Sequence, residues 1–266
     1  MNFTKYHIAG KDYIYCSEKN NFDNLTEAAV KAICDRHKGI GTDGIFTFDN
    51  ICPKTSNIRG FNQIGKCMRD FSSASICTFF ETVLSSDITE RTFLSANGQK
   101  TFVKTDFSAN SHAFSCTLQT CTEGGIFSAV GRKTEIGNRI LTLTPVYLHS
   151  IYTVHFTDCK ERLNSDYLGQ HISENSLFGK EASLILAEYS GKNSFNIDFY
   201  ENSTGCPRPE ISAFGATALA ACRNDICKYG ETISVSCNDS TVSIICSNAE
   251  SVTIKCTCEK VFEGKI

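Results

Sequence analysis

Two stretches of this chain, about half its length apart, carry the same design. The first is Phe61-Asn62, a polar loop, and then the small run Ser72-Ser73-Ala74-Ser75 opening an apolar helix. The second is Tyr200-Glu201-Asn202, a polar loop, and then Ser212-Ala213-Phe214-Gly215-Ala216 at the start of another. Small side chains there leave backbone N–H groups bare at a helix N-terminus. The unbonded donors and the helix dipole favour a carboxylate or another anion at such a place. A repeated strand, loop and helix entry is expected to give two similar lobes whose helix N-termini face one cleft.

With 266 residues the chain has enough length for one large or two ordinary domains, with ample core. Its net charge is −3 and it holds no basic block, so neither nucleic acid nor an anionic membrane is expected as a partner. No apolar run approaches the roughly 18 residues of a membrane span. The opening Met1-Asn2-Phe3-Thr4-Lys5-Tyr6-His7 lacks the apolar stretch of a signal peptide. A cytoplasmic location is therefore expected.

Periodicity and turn residues divide the chain further. A helix is expected over 26–36, with Leu25, Ala29, Val30, Ile33 and Cys34 as its apolar stripe. Others are expected over 76–84, 164–172 and 213–224. Strand composition marks 3–15, 45–48, 58–62, 91–94, 99–105, 112–118, 140–144, 152–156, 183–189, 195–200, 233–237, 242–246 and 251–262. Asn97-Gly98 is a hairpin signal. Strands outnumber helices, with one long helix in each half.

Six short motifs then stand in order. They are Phe3-Thr4-Lys5-Tyr6-His7-Ile8-Ala9-Gly10-Lys11-Asp12-Tyr13, Asp35-Arg36-His37-Lys38-Gly39-Ile40-Gly41-Thr42-Asp43-Gly44, Phe61-Asn62-Gln63-Ile64-Gly65, Ser95-Ala96-Asn97-Gly98, Tyr200-Glu201-Asn202-Ser203 and Val261-Phe262-Glu263-Gly264. In this order and at nearly these spacings, the chain resembles the diaminopimelate epimerase family almost end to end. The resemblance implies an α+β fold of two similar lobes, each an antiparallel sheet wrapped around a central helix. It places one lobe at 1–110 with a returning strand at 259–266, and the other at 111–258. It implies an isomerase of amino-acid metabolism, in the family's case lysine biosynthesis, that needs no cofactor and no metal. The implied ligand is a small molecule, an amino acid or small acid, and a homodimer is left open.

The family's chemistry does not transfer with its fold. Its members use two cysteines, each just before a Gly-rich helix N-terminus, as the two proton-transfer groups. Counting from Asn62, Phe71 stands at the first cysteine position, and Ser72-Ser73-Ala74 follow. Counting from Glu201 without gaps, the second position holds Glu210; two extra loop residues would move it to Ser212. Cys67 and Cys206 are the nearest thiols. Four extended residues reach up to roughly 13 Å, whereas proton transfer needs about 3 Å. The chain has 15 cysteines, an odd number with no Cys-x-x-Cys pair, which argues for free thiols. Cys256-Thr257-Cys258 would share one strand face, as metal ligands or, on the plainer reading, as small buried apolar groups.

The implied substrate-binding positions are also altered. Lys11 stands for an asparagine, Gly44 for a glutamine, Ser150 and Ser183 for asparagines, and Asn202 for an arginine; only Asn62 and Glu201 keep their identity. Loss of a bidentate arginine removes the natural carboxylate clamp. Two functional readings follow. One is an isomerase with a changed substrate, in which Asn62, Ser72, Ser73 and Glu201 frame the site and Glu210 or Ser212 moves the proton. Asp70, Lys11 and His149 are further candidates. The alternative is a non-catalytic relative that binds a small ligand or a protein partner. The plainer readings are a solvated loop carboxylate for Glu210 and a helix N-cap for Ser212. Phe71 either points into the cleft or turns into the core of its own lobe.

Overall fold

The computed structural model describes residues 1–18, 22–83, 88–95, 98–105, 113–120, 125–159, 162–201 and 208–266. The chain forms two compact units, Met1–Thr117 with Lys255–Ile266, and Leu118–Ile254. The first contains β1 (Asn2–Ile8), β2 (Lys11–Cys16), α1 (Glu27–Cys34), β3 (Gly44–Cys52), β4 (Thr55–Asn62), α2 (Ser72–Val83), β5 (Glu90–Ser95), β6 (Lys100–Thr105) and most of β7 (Ala113–Gln119). The second contains a 3-10 turn (Gly125–Ser128), β8 (Arg132–Ile136), β9 (Arg139–Leu148), β10 (Ser150–Thr157), α3 (Ser165–Glu174), β11 (Ser183–Gly191), β12 (Ser194–Tyr200), α4 (Ile211–Arg223), β13 (Thr232–Cys237) and β14 (Ser240–Asn248). The long β15 (Ser251–Lys265) starts in the second unit and ends in the first.

In the first unit the strand order is β1-β2-β3-β4-β5-β6-β7-β15, and β1 pairs again with β15, so eight strands close on themselves. Closure leaves β1 no free edge. The β1–β2 turn needs a left-handed backbone, supplied by Ala9 at φ 46 and Gly10 at φ 84. Thr26 caps α1, its hydroxyl accepting from the Ala29 N–H at 3.2 Å, and α1 buries Val30, Ile33 and Cys34. They join Phe3, Ile14, Cys16, Phe22 and Ile45 in one apolar cluster.

Both units use mixed sheets, a correction to the antiparallel sheets that the resemblance implied. Strands β2 and β3 are parallel, as are β4 and β5, β10 and β11, and β12 and β13. A parallel pair cannot be joined by a tight turn and needs a crossover. Each of the helices α1 to α4 spans one such crossover. Alternation reveals which face a residue takes but not strand direction, which is why this feature escapes a reading of composition. Strand β8 escaped too: only Thr134 and Ile136 of its five residues are buried, the profile of a polar edge.

The two long helices are enclosed. In α2, Ser72 to Phe80 and Thr82 are buried; in α4, every residue from Ile211 to Cys222 is. A helix buried on all sides has no solvent for its polar groups, and one threonine in each helix bonds back to its own turn. The Thr78 hydroxyl donates to the Ala74 carbonyl at 2.9 Å, and that of Thr217 to Ala213 at 3.0 Å. Helix α2 packs on β1, β2 and β6, and α4 on β9, β10, β11, β13 and β14. No described helix is long and apolar enough to cross a membrane.

Candidate functional site

In the second unit, strand directions gather the candidate residues at one end of the sheet. Strands β10 and β11 are parallel, with Tyr152 opposite Ser183. Strand β12 runs the other way, with Leu184 opposite Tyr200. The beginnings of β10 and β11 thus lie at the end of β12, where Glu201 follows. His149, at φ 64 and buried, turns β9 into β10 and sets Ser150 at its start. Ser183 is buried, and its carbonyl accepts the Thr153 hydroxyl at 3.0 Å. Ser150 and Glu201 are half-buried, and Asn202 and Cys206 lie outside the described residues.

Helix α4 brings its own polar groups to this unit. Glu210 is the N-cap residue, with an extended backbone (φ −67, ψ 159), and its side chain makes no capping hydrogen bond. It is only 9% exposed, so it is no solvated loop carboxylate. Ser212 is the second helical residue rather than the cap, and its hydroxyl meets the Tyr152 phenol at 2.7 Å. Both residues are buried and either oxygen can donate. The arrangement is a buried carboxyl at the positive end of a helix dipole, two residues from a coupled hydroxyl pair. Such groups can take, hold and return a proton. Tyr152 was missed from sequence because nothing local marks it; its partner is 60 residues away.

The first unit repeats the frame with different chemistry. Tyr13 lies opposite Gly44, and Gly44 opposite Asn62, so β2, β3 and β4 present one end in the same way. Lys11 is 4% exposed, with its amine 6.0 Å from the centre of the Tyr13 ring. A Cβ on Gly44 would stand 2.9 Å from that ring and 3.0 Å from the Phe61 carbonyl, so the ring occupies the space that a side chain would need. Asn62 is buried, and its Oδ1 accepts the N–H groups of Ile64 at 3.2 Å and Lys66 at 2.9 Å. That oxygen therefore shapes its own loop.

At the entry to α2, the buried Asp70 accepts the Ser72 N–H at 2.8 Å, and the Phe71 carbonyl accepts the first helical bond from Ser75. Phe71 is buried at 4% exposure. Ser72 and Ser73 are fully buried, and the hydroxyls of Ser72 and Ser75 have no partner among the described residues. Cys67 is exposed, and its backbone bridges to Phe61.

A charge cluster organises the nearby loops. The Arg36 guanidinium donates to Asp12 and to Asp43, both at 2.9 Å, and Asp43 accepts the Asp12 N–H at 2.9 Å. His7 Nδ1 lies 3.0 Å from Asp12, and Lys5 donates to the Gly41 carbonyl at 2.6 Å. Burial pushes the Asp12 carboxyl up, but its hydrogen bonds with His7 and Arg36 and the charges of Lys5 and Arg36 hold it below the ordinary range. Among the described residues no three side chains gather as metal ligands. Cys258 is buried, its sulfur 3.8 Å from that of Cys77, while Cys256 is half-buried.

Comparison with known proteins agrees with this frame. No family model matches the chain. The diaminopimelate epimerase of Halothermothrix orenii is 22% identical over 290 residues, covering 100% of this chain and 98% of the relative. That of Bacteroides thetaiotaomicron is 22% identical over 285 residues, covering 100% and 98%. Among solved structures, a probable proline racemase from Agrobacterium radiobacter, with bound carbonate, superposes with a TM-score of 0.68 at 11% identity, covering 100% of this chain and 92% of that one. A hydroxyproline epimerase from Agrobacterium vitis, with bound trans-4-hydroxy-L-proline, gives 0.67 at 8% identity, covering 99% and 91%. The chain is a relative of the diaminopimelate epimerases, built on the fold that this racemase and this epimerase share.

Proposed function

We propose that the chain is a cofactor-independent isomerase that moves an α-proton on an amino acid or small acid, with acid/base groups and a substrate that differ from those of diaminopimelate epimerases. The observation that carries this reading is Glu210: a buried carboxyl at the start of α4, not spent on capping, two residues along the chain from Ser212 of the Tyr152–Ser212 hydroxyl pair. In the proposed reaction the Glu210 carboxylate takes the α-proton and the resulting carboxylic acid returns it to the carbanion, with Ser212, held by Tyr152, as the other candidate proton-transfer group. Ser150, Ser183, Glu201 and Asn202 bind the polar ends of the substrate in this unit. In the first unit, taken by itself, Lys11, Asn62, Ser72 and Ser73 are the proposed ligand-binding groups, with Phe71 restricting size. The run of two strands, a helix, two strands, a helix and two strands that recurs in both units, β1 to β6 and β9 to β14, supports the reading of two similar lobes, each built around its long helix.

The test is deuterium exchange. The protein is incubated in D₂O with a panel of amino acids and small diacids, including the diaminopimelate stereoisomers, and loss of the α-proton signal is followed by NMR. Protein-dependent exchange on some member other than diaminopimelate is expected. Glu210→Gln should slow it by at least about a hundredfold, the scale of a lost general acid/base. A specific observation favours the alternative of a non-catalytic binder: Phe71 stands where the family has a thiol, and Asp70 accepts the Ser72 N–H, one of those that an anionic substrate would use. No exchange across the panel, with a thermal shift from one of its members, would establish that alternative.

A further inference from the structure

We propose that Cys77 and Cys258 are a modification site, at which small disulfides of the glutathione class form a reversible cross-link that staples helix α2 to the returning strand β15. The two residues are 181 apart in the sequence, yet the Cys258 sulfur lies 3.8 Å from that of Cys77. Both are fully buried, both are thiols in this structure, and both belong to the first unit. A disulfide holds its sulfurs at about 2.05 Å, so closing the gap of 3.8 Å takes a shift of about 0.9 Å from each. Rotation of each short side chain about its Cα–Cβ bond covers that distance.

The position of the pair gives the link its effect. Cys258 stands opposite Ile8, at one end of the β1–β15 ladder that closes the first unit. Helix α2 packs on β1 as well. One covalent bond would therefore join the helix to β15 and, through the ladder, to β1. It would also restrict the unfolded chain strongly, because it spans 181 residues of sequence. The plainer role of two buried cysteines is to fill the core as small apolar groups. That role makes nothing of the contact between the sulfurs, and the two readings separate on oxidation. In a reducing compartment the pair stays as thiols, and the link forms when small disulfides accumulate.

The exchange balances with the small disulfide alone. One protein thiolate attacks a sulfur of the reagent, a mixed disulfide forms and one reagent thiolate leaves. The second protein thiolate attacks the protein sulfur of that mixed disulfide, and the other reagent thiolate leaves. The two protein thiols lose two protons and two electrons, and the reagent is reduced to two thiols. Both sulfurs are buried, so the first attack takes place when the seam opens locally, and the link forms slowly.

The experiment uses the whole chain without denaturant, equilibrated in graded mixtures of oxidised and reduced glutathione. It is quenched with acid, alkylated with N-ethylmaleimide in denaturant and digested without reduction. Peptide mass spectrometry should find Cys77 joined to Cys258 at least about tenfold above any other pair, because the fold holds these two sulfurs in contact. Dithiothreitol should abolish the link. The linked protein should unfold about 5–10 °C above the reduced one. Cys77→Ala should remove both the link and the shift; should that variant misfold, the link mapped in the unaltered chain does not depend on it. Recovery of both residues as alkylated thiols at every glutathione ratio would overturn the proposal and leave the pair as core packing. Linkage of either one to Cys116 or Cys256 instead would overturn it as well.

Discussion

Asp12 touches three basic side chains, Arg36 at 2.9 Å, His7 at 3.0 Å and Lys5 at 3.6 Å. Its carboxyl is held below the ordinary 3.8, so its stabilising effect is fully present above that value and fades as pH falls through the depressed one. Asp12→Asn should cost about 1 kcal/mol at pH 7, since the pairs are partly exposed, and should flatten the decline of stability below about pH 4. Melting temperatures of both proteins from pH 2 to 7 check this; parallel curves would contradict it. The Tyr152–Ser212 bond makes a second prediction at this scale. Tyr152→Phe and Ser212→Ala should each cost about 1–2 kcal/mol, because each removes a buried hydrogen bond. The double variant should cost less than the sum by about 1 kcal/mol, measured by urea unfolding.

Helix α3 is set on β12 by a glycine. A Cβ at Gly169 would stand 2.0 Å from Cδ1 and 2.2 Å from Cγ of the Tyr200 ring. Glycine inside a helix ordinarily costs about 1 kcal/mol relative to alanine, so Gly169→Ala would stabilise an isolated helix. Here the backbone touches the ring and overpacking dominates. We expect a net loss of about 1–2 kcal/mol on urea unfolding, and recovery of part of it when Tyr200 is also cut back to alanine. A stabilised Gly169→Ala variant would show that α3 can shift at no cost. The cap residues of this helix and of α1 act by a local rule. Asn164 accepts the Tyr167 N–H at 2.9 Å, as Thr26 accepts from Ala29.

For the whole molecule, the end of the chain completes the first unit. The pairing runs from Asn2 opposite Lys265 to Ile8 opposite Cys258, and the Phe3 ring meets the edge of Phe262 at 5.8 Å. A chain ending at Ile254 loses these ladder bonds and leaves β1 as an open edge. Hydrogen exchange should then show β1 and β2 amides losing their protection, while those of β10 to β12, in the other unit, stay slow. Unchanged protection in β1 would mean that this unit does not depend on its last strand.

Sequence alone determined where most elements lie and which way their residues face, because caps, turns and periodicity act within a few residues. Thr26 and Asn164 start their helices as local hydrogen bonding dictates, and the small residues of 72–75 and 212–216 do mark two enclosed helices. The repeated design was legible for the same reason: it is written twice in similar residues. Only the tertiary structure decided what depends on distant partners. Strand direction is one such outcome, since a parallel and an antiparallel strand bury the same alternate residues. The use of Asn62 on its own loop is another, and so is the burial of Glu210, whose neighbours Pro209 and Ile211 look like those of any loop. The meeting of Tyr152 with Ser212 joins residues 60 apart, and Arg91 comes to lie beneath the turn after β3. Contacts of this kind form only when the sheets close, and no local preference encodes them.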